Sequence, residues 1–383
     1  MPNIKNFSGF IRIALIVFII AGVVPHSFTQ TPGTYRIVAY VMGSRGKDLS
    51  NIKADKLTHI NYAFASIIND EIVFRFRNPE QEERLNQNLK KLTDLRKVNP
   101  ELKILVSVGG WGNCAGFSDA ALTDETRSRF AQSAIKILSR YGVDGIDLDW
   151  EYPGQVGGGE VFRPADKENF TLMLKSLRDE FNKAGSKYLL TIAGGADEEY
   201  FRWTNPGDAQ KYLDFINIMG YDFYSGLSTV SGHHANLKRT DFPGAADISV
   251  ETAVGRYVQS GVPAGKLVIG VPFYGRFWRG VPGVNHGLYQ QGSTTGSYKV
   301  YSDITNNYLN KNSFTRYWDQ SAEAPYLYSS DSSMVISYED PQSLALKTKY
   351  VTEKHLGGIM FWEYFGDGSG ELLETIYREF ILK

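Results

Sequence analysis

Eight short apolar runs rich in β-branched and aromatic residues, separated by longer stretches mostly of helical character, constrain the fold of this chain more than any other feature. The runs are Arg36–Met42, Leu57–Ser66, Lys103–Val108, Gly145–Trp150, Tyr188–Ala193, Phe215–Gly220, Lys266–Pro272 and Gly358–Trp362. Strands alternating with helices build βα units around a parallel sheet. Between the third and fourth runs, Phe130, Ala134, Ile137, Leu138 and Tyr141 fall at helical spacing. After the fourth, Phe170, Leu174, Leu177 and Phe181 repeat the pattern, with Gly185 as a stop. Further helices are predicted at Ser249–Ser260, Gln342–Lys354 and Gly370–Ile381. Eight such units in about 330 residues fit an α/β chain closed as a (β/α)8 TIM barrel better than an open doubly wound sheet. No Gly-x-Gly-x-x-Gly fingerprint opens the first unit, which weighs against the open sheet. The alternation fails between Gly275 and Asp340, a segment rich in Tyr, Ser, Asn and Gly. A small α+β lobe inserted between the seventh strand and its helix, residues 275–340, is the expectation there.

Charge and termini narrow the partners. With 41 basic and 42 acidic residues the formal charge is -1, so the chain has no basic footprint for nucleic acid. A neutral partner is expected, and the 23 Tyr, 22 Phe and 6 Trp include flat rings suited to the faces of sugars. Lys5 and Arg12 precede an apolar run, Ile13–Val24, that is short for a membrane span and suits the core of a signal peptide. Residues 1–29 are therefore read as a leader with cleavage near Ser27–Gln30, an uncleaved anchor being the competing reading. Export to the periplasm or outside follows, with no stable membrane association once the leader is removed. Cys114 is the only cysteine, so no internal disulfide forms, and nothing beside it suggests an activated nucleophile. No repeat or Ser/Pro-rich linker announces an appended binding module, and a monomer is expected.

The fourth run carries the most unusual chemistry. In Asp144-Gly145-Ile146-Asp147-Leu148-Asp149-Trp150-Glu151, Ile146, Leu148 and Trp150 alternate with Asp147, Asp149 and Glu151. A strand's period of two puts those three acids in a row on one face, about 6.5 Å from each to the next. Asp144 falls on the other face and is read as structural support. Burying such a row is costly unless protons or hydrogen bonds are shared. Acid catalysis is one reason to tolerate it, because neighbouring like charges raise a carboxyl pKa. A divalent-cation site or a solvated edge strand is the plainer alternative.

In a barrel, functional side chains gather at the C-terminal ends of the strands. Here the third ends Ser107-Val108-Gly109-Gly110-Trp111, the sixth Met219-Gly220-Tyr221-Asp222 and the eighth Phe361-Trp362-Glu363, while the seventh runs through Pro272-Phe273-Tyr274-Gly275-Arg276. With Asp-x-x-Asp-x-Asp-x-Glu at Asp144 to Glu151, this set resembles family 18 glycoside hydrolases, the chitinase family, over essentially everything after the leader. The interruption after the seventh strand resembles the α+β insertion of the deep-cleft subgroup, and Ile336–Asp340 looks like its return to the barrel. Gly194-Gly195-Ala196 departs from the Pro-containing segment common after the fifth strand, which bears on subsite shape.

The resemblance implies roles. Glu151 would protonate the glycosidic oxygen and then activate water; Asp149 would hold the substrate's 2-acetamido group, with Asp147 below it sharing a proton, and Tyr221 would bond the acetamido oxygen. Trp362 would floor the distorted sugar and Trp111 would stack beyond the cleaved bond. Tyr40, Phe64, Gly110, Met219, Asp222 and Arg276 would complete the pocket, although Asp222 with Arg276 also reads as a scaffold ion pair. Trp203, Trp278 and Trp318 either extend an aromatic track or pack. His233 and His234 lack the neighbours a metal site needs. The implied activity is hydrolysis of β-1,4 bonds in chitin or chitooligosaccharides with retention, using the acetamido oxygen as nucleophile and no cofactor or metal. A non-catalytic chitin lectin and an N-glycan-cleaving endo-β-N-acetylglucosaminidase are the alternatives on the same barrel.

Overall fold

The computed structural model describes residues 35–185, 187–293 and 297–381. The expected leader and its cleavage site lie outside the described residues. Eight parallel strands close on themselves: β1 (Arg36–Met42), β2 (His59–Ile68), β4 (Lys103–Gly109), β5 (Gly145–Asp149), β6 (Leu189–Gly194), β7 (Phe215–Ile218), β8 (Leu267–Pro272) and β14 (Gly358–Trp362). The ring is sealed by β1, which pairs with both β14 and β2. A short hairpin strand, β3 (Glu71–Val73), extends β2 antiparallel. The (β/α)8 barrel predicted from the sequence is thus the observed fold, and each of the eight strand positions matches within two residues.

The helices are α1 (Pro79–Asp94), α2 (Phe117–Ala120), α3 (Asp124–Tyr141), α4 (Asp166–Lys183), α5 (Glu198–Arg202), α6 (Pro206–Ala209), α7 (Val250–Gln259), α8 (Tyr301–Asn307), α9 (Pro341–Glu353) and α10 (Glu371–Ile381). Several of their starts follow capping chemistry. Thr123 and Asp340 form capping boxes at α3 and α9, and Ser249 caps α7. The longer helices turn apolar stripes onto the outer surface of the strands; Leu174, Leu177 and Phe181 of α4 are fully buried there. Each such side chain contributes roughly 1.5–3 kcal/mol. Ile146, Leu148 and Trp150 point into that shell, where Trp150 stacks on Phe117 at 5.0 Å. No helix was expected at α1, yet Asn78 caps it, Pro79 opens it, and Leu85, Leu89 and Leu92 are its buried stripe.

Between β8 and α9 the chain builds an antiparallel sheet in the order β10-β9-β13-β12-β11: β9 (Tyr274–Arg279), β10 (Tyr298–Val300), β11 (Thr315–Asp319), β12 (Ala324–Ser329) and β13 (Met334–Ser337). With α8 it is the α+β insertion expected after the seventh barrel strand. Its own small core holds Trp278, Val281, Leu288, Tyr326, Tyr328 and Val335. Among the described residues, no helix is long and apolar enough to cross a membrane.

Candidate active site

The fourth barrel strand, β5, lifts its acids from the barrel interior to the mouth. Asp147 is fully buried and pairs in register with Ser107 of β4 and Thr191 of β6. Four donors from four other strands reach its oxygens: Tyr40 Oη at 2.6 Å, Ser107 Oγ at 2.8 Å, Thr191 Oγ1 at 2.6 Å and Asn217 Nδ2 at 3.3 Å. Burial pushes its carboxyl up, and those hydrogen bonds hold the rise in check. Asp149, one layer higher, is 5% exposed, and its Oδ1 is buried with no hydrogen-bond partner. Burial, followed by the charges of Glu151 and Asp147, raises its carboxyl well above the ordinary value. Glu151 stands just past the strand, half-buried. Burial pushes its carboxyl up to about 7, against hydrogen bonds from Tyr152 and the Trp111 backbone, and the Asp222 carboxylate adds to the rise.

The turn after β4 fits against this row through glycine. At Gly109, φ is 106° and a Cβ would lie 2.2 Å from the Asp149 carbonyl oxygen; at Gly110, φ is 85° and a Cβ would meet the Phe64 ring at 2.6 Å. The Gly110 N–H donates to the Asp149 carbonyl at 2.8 Å. Cys114 completes the junction from below. Its buried thiol donates to the Asp149 carbonyl at 3.2 Å and accepts the Glu151 N–H at 3.2 Å. Burial, and then the Asp149 charge, push that thiol far up, so it stays protonated and is not a nucleophile. The thiol also lies 3.4 Å from the Gly110 carbonyl, and nothing in the sequence signals these contacts, because the partners of Cys114 are all backbone groups.

Aromatic walls surround the acids. Trp362, at the end of β14, stacks on Phe64 at 5.5 Å and tilts against Tyr40 at 5.6 Å, and Tyr221 packs against the same inward cluster. Burial, Asp149 and Glu151 together keep the Tyr221 hydroxyl protonated. Met219 is buried, while Trp111 is 58% exposed. Asp222 takes a left-handed φ of 61°. It accepts from Arg276 Nε at 2.6 Å and Nη2 at 2.7 Å, and from Tyr274 Oη at 2.9 Å. Burial alone would raise its carboxyl, but Arg276 and His234 hold it well below the usual range. The ion pair joins the segment after β7 to β9.

Other singled-out residues fall elsewhere. Trp278 is fully buried in the inserted lobe, Trp203 donates to Glu199 at 2.7 Å, and Trp318 lies under Arg316. His233 pairs with Asp319 at 3.1 Å, and His234 Nδ1 stands 3.6 Å from Asp222. Asp144 binds Arg96 at 2.5 Å and accepts the Ile104 N–H at 2.7 Å, away from the mouth.

A closed (β/α)8 barrel bearing a protonatable carboxyl above two buried ones, beside an aromatic cluster, is built as a glycoside hydrolase. Residues 36–367 match the family described as Glycosyl hydrolases family 18, and the chain belongs to that family. It is 36% identical to chitinase A1 of Niallia circulans over 96% of its own length and 63% of that relative, and so spans less than two thirds of it. Among solved structures, a family 18 N-acetylglucosaminidase from Paenibacillus barengoltzii is 41% identical with a TM-score of 0.82, covering 90% of this chain and 99% of the other. A chitinase from Bacillus thuringiensis is 35% identical with a TM-score of 0.84, covering 91% and 70%.

Proposed function

We propose that the chain hydrolyses β-1,4 bonds between N-acetylglucosamine units of chitin or chitooligosaccharides, with retention at the anomeric carbon. The observation that supports this most is the graded acid row, in which only Glu151 is both protonated near neutrality and open to the mouth. Glu151 gives its proton to the leaving oxygen and recovers one from water in the second step. The unpartnered Asp149 Oδ1 suits the acetamido N–H, and the Tyr221 hydroxyl suits the acetamido oxygen. That oxygen attacks the anomeric carbon, the C–O bond to the leaving sugar breaks, and water opens the resulting oxazolinium ion. Asp222 is held by Arg276 and offers no free carboxylate as a nucleophile. Trp362 serves as the sugar floor and Trp111 as a stacking surface on the leaving side, with Tyr40, Phe64, Gly110 and Met219 shaping the pocket. Residues 30–383 would be the exported catalytic unit, acting in the periplasm or outside the cell.

Mass spectrometry of the products from chitin hexamer, with NMR of the first-formed anomer, tests the reading. Short chitooligosaccharides or free N-acetylglucosamine born as β-anomers are expected; the α-anomer or an uncut hexamer would refute it. Activity requires protonated Glu151, so kcat/KM should fall as pH rises through about 7. A profile still rising at pH 9 would remove Glu151 from the acid role.

Cys114 offers a separate check on the placement of the acids. Cys114→Ser keeps a donor and an acceptor beneath Asp149 and Glu151, whereas Cys114→Val removes both. Two neutral hydrogen bonds are worth about 1 kcal/mol each, so kcat should fall roughly 5–30-fold in the Val variant, with KM little changed and most activity kept by Ser. Equal kcat for the two variants would show that the thiol only fills space.

A further inference from the structure

Beside the mouth, a groove of about 1050 Å³ runs between the β2–β3 hairpin and the first turns of α1, and Arg75, Arg77 and Arg84 all line it. None of the three makes an ion pair with a described residue. Their neighbours behave differently: Arg129 pairs with Asp70 and Glu125, and Arg140 with Glu82. The one carboxylate lining the groove, Glu71, is already taken by Lys136 at 2.8 Å. Three arginines without an ion-pair partner thus line one concave surface on a chain whose total formal charge is -1. Concave walls focus such a field, and guanidinium forks fit carboxylates in bidentate fashion.

The wall itself is held in place. Asn88 donates to Tyr62 Oη at 3.1 Å, and Asn113 donates to the Gly109 carbonyl at 2.8 Å, tying the groove to the turn beneath Asp149. Phe64 belongs both to this groove and to the stack on Trp362, so a sugar chain seated on Trp362 can continue into it. We infer that the groove selects the charge of the glycan: it takes a β-1,4-linked N-acetylhexosamine chain bearing carboxylates, as ether or uronic groups, and disfavours a deacetylated, cationic one. This rests on the glycan-cleaving reading for the path of the chain, and on the unpaired arginines for the sign of the charge.

Binding measured by calorimetry on the Glu151→Gln variant, which leaves the polymer uncut, separates the two ideas. Carboxymethyl chitin should bind about tenfold more tightly than neutral glycol chitin at about 50 mM salt, and partially deacetylated chitin more weakly than either. Both differences should shrink at about 0.5 M salt and on replacing the exposed Arg75, Arg77 and Arg84 together by Gln. Equal affinity for the two polymers, or a preference that survives both the salt and the substitutions, overturns the inference. Failure of the unmodified protein to cut glycol chitin would count against the hydrolase reading alone, because the affinity ratio is read without turnover.

Discussion

Glu151→Gln should lower kcat on chitin oligomers by roughly 10²–10⁴-fold, the usual worth of a positioned general acid and base. Gln keeps the shape and can still accept a hydrogen bond, so the affinity for an oligomer should change little. The residual activity should also lose its decline near pH 7, because the group that titrates there is gone. Stability gives an independent readout with a definite sign. Burial raises the Glu151 carboxyl from 4.5 to about 7 in the folded chain, so between these values the native state holds a proton that the unfolded state has released. Stability from this group is full below about 4.5 and falls as pH rises through about 7. The Gln variant should therefore gain thermal midpoint on its parent at pH 8 but not at pH 4. A kcat within threefold of the parent, measured on a fluorogenic chitooligosaccharide, would remove Glu151 from the centre of the mechanism.

The second large effect lies outside the mouth. Lys347 of α9 is completely buried and reaches Glu339, 2% exposed, at the end of the inserted lobe. The same ammonium donates to the Ala235 carbonyl, and Ser343 donates to the other Glu339 oxygen. Lys347→Met leaves a carboxylate and a carbonyl buried with no cation, and should cost about 3–5 kcal/mol in denaturant unfolding. Adding Glu339→Leu should return much of that loss, since a buried ion pair often exchanges for apolar groups at little net cost. A single variant within about 0.5 kcal/mol of the parent, the scatter of surface substitutions, would show that water reaches the site.

Much of the barrel is legible because period and burial agree. Ile146, Leu148 and Trp150 are apolar and Asp147, Asp149 and Glu151 are not, so parity alone separates the helix-facing side of β5 from its interior. Ser249 and Ser260 bracket α7 because capping is local chemistry. In α1 the start signal at Asn78-Pro79 is also local, but three leucines among Glu, Gln, Asn and Lys make a thin stripe that a pattern search passes over. The surroundings of Asp147 are not legible at all. Tyr40, Ser107, Thr191 and Asn217 lie 107, 40, 44 and 70 positions away from it and meet only because the sheet closes. The unpaired state of Arg75, Arg77 and Arg84 is likewise a property of the assembled surface, since acids are plentiful nearby in the chain.

That closure has a consequence for recombining this barrel with its relatives. Asp147 draws its hydrogen bonds from β1, β4, β6 and β7, so its donors come from both halves of the ring. A crossover that exchanges one half-barrel leaves part of this donor set with a foreign carboxylate, and a buried acid with too few donors is costly. Chimeras whose breakpoints carry Tyr40, Ser107, Thr191 and Asn217 together with β5 keep the set intact. Loops and the inserted lobe can be exchanged with far less constraint, provided Arg276 travels with Asp222.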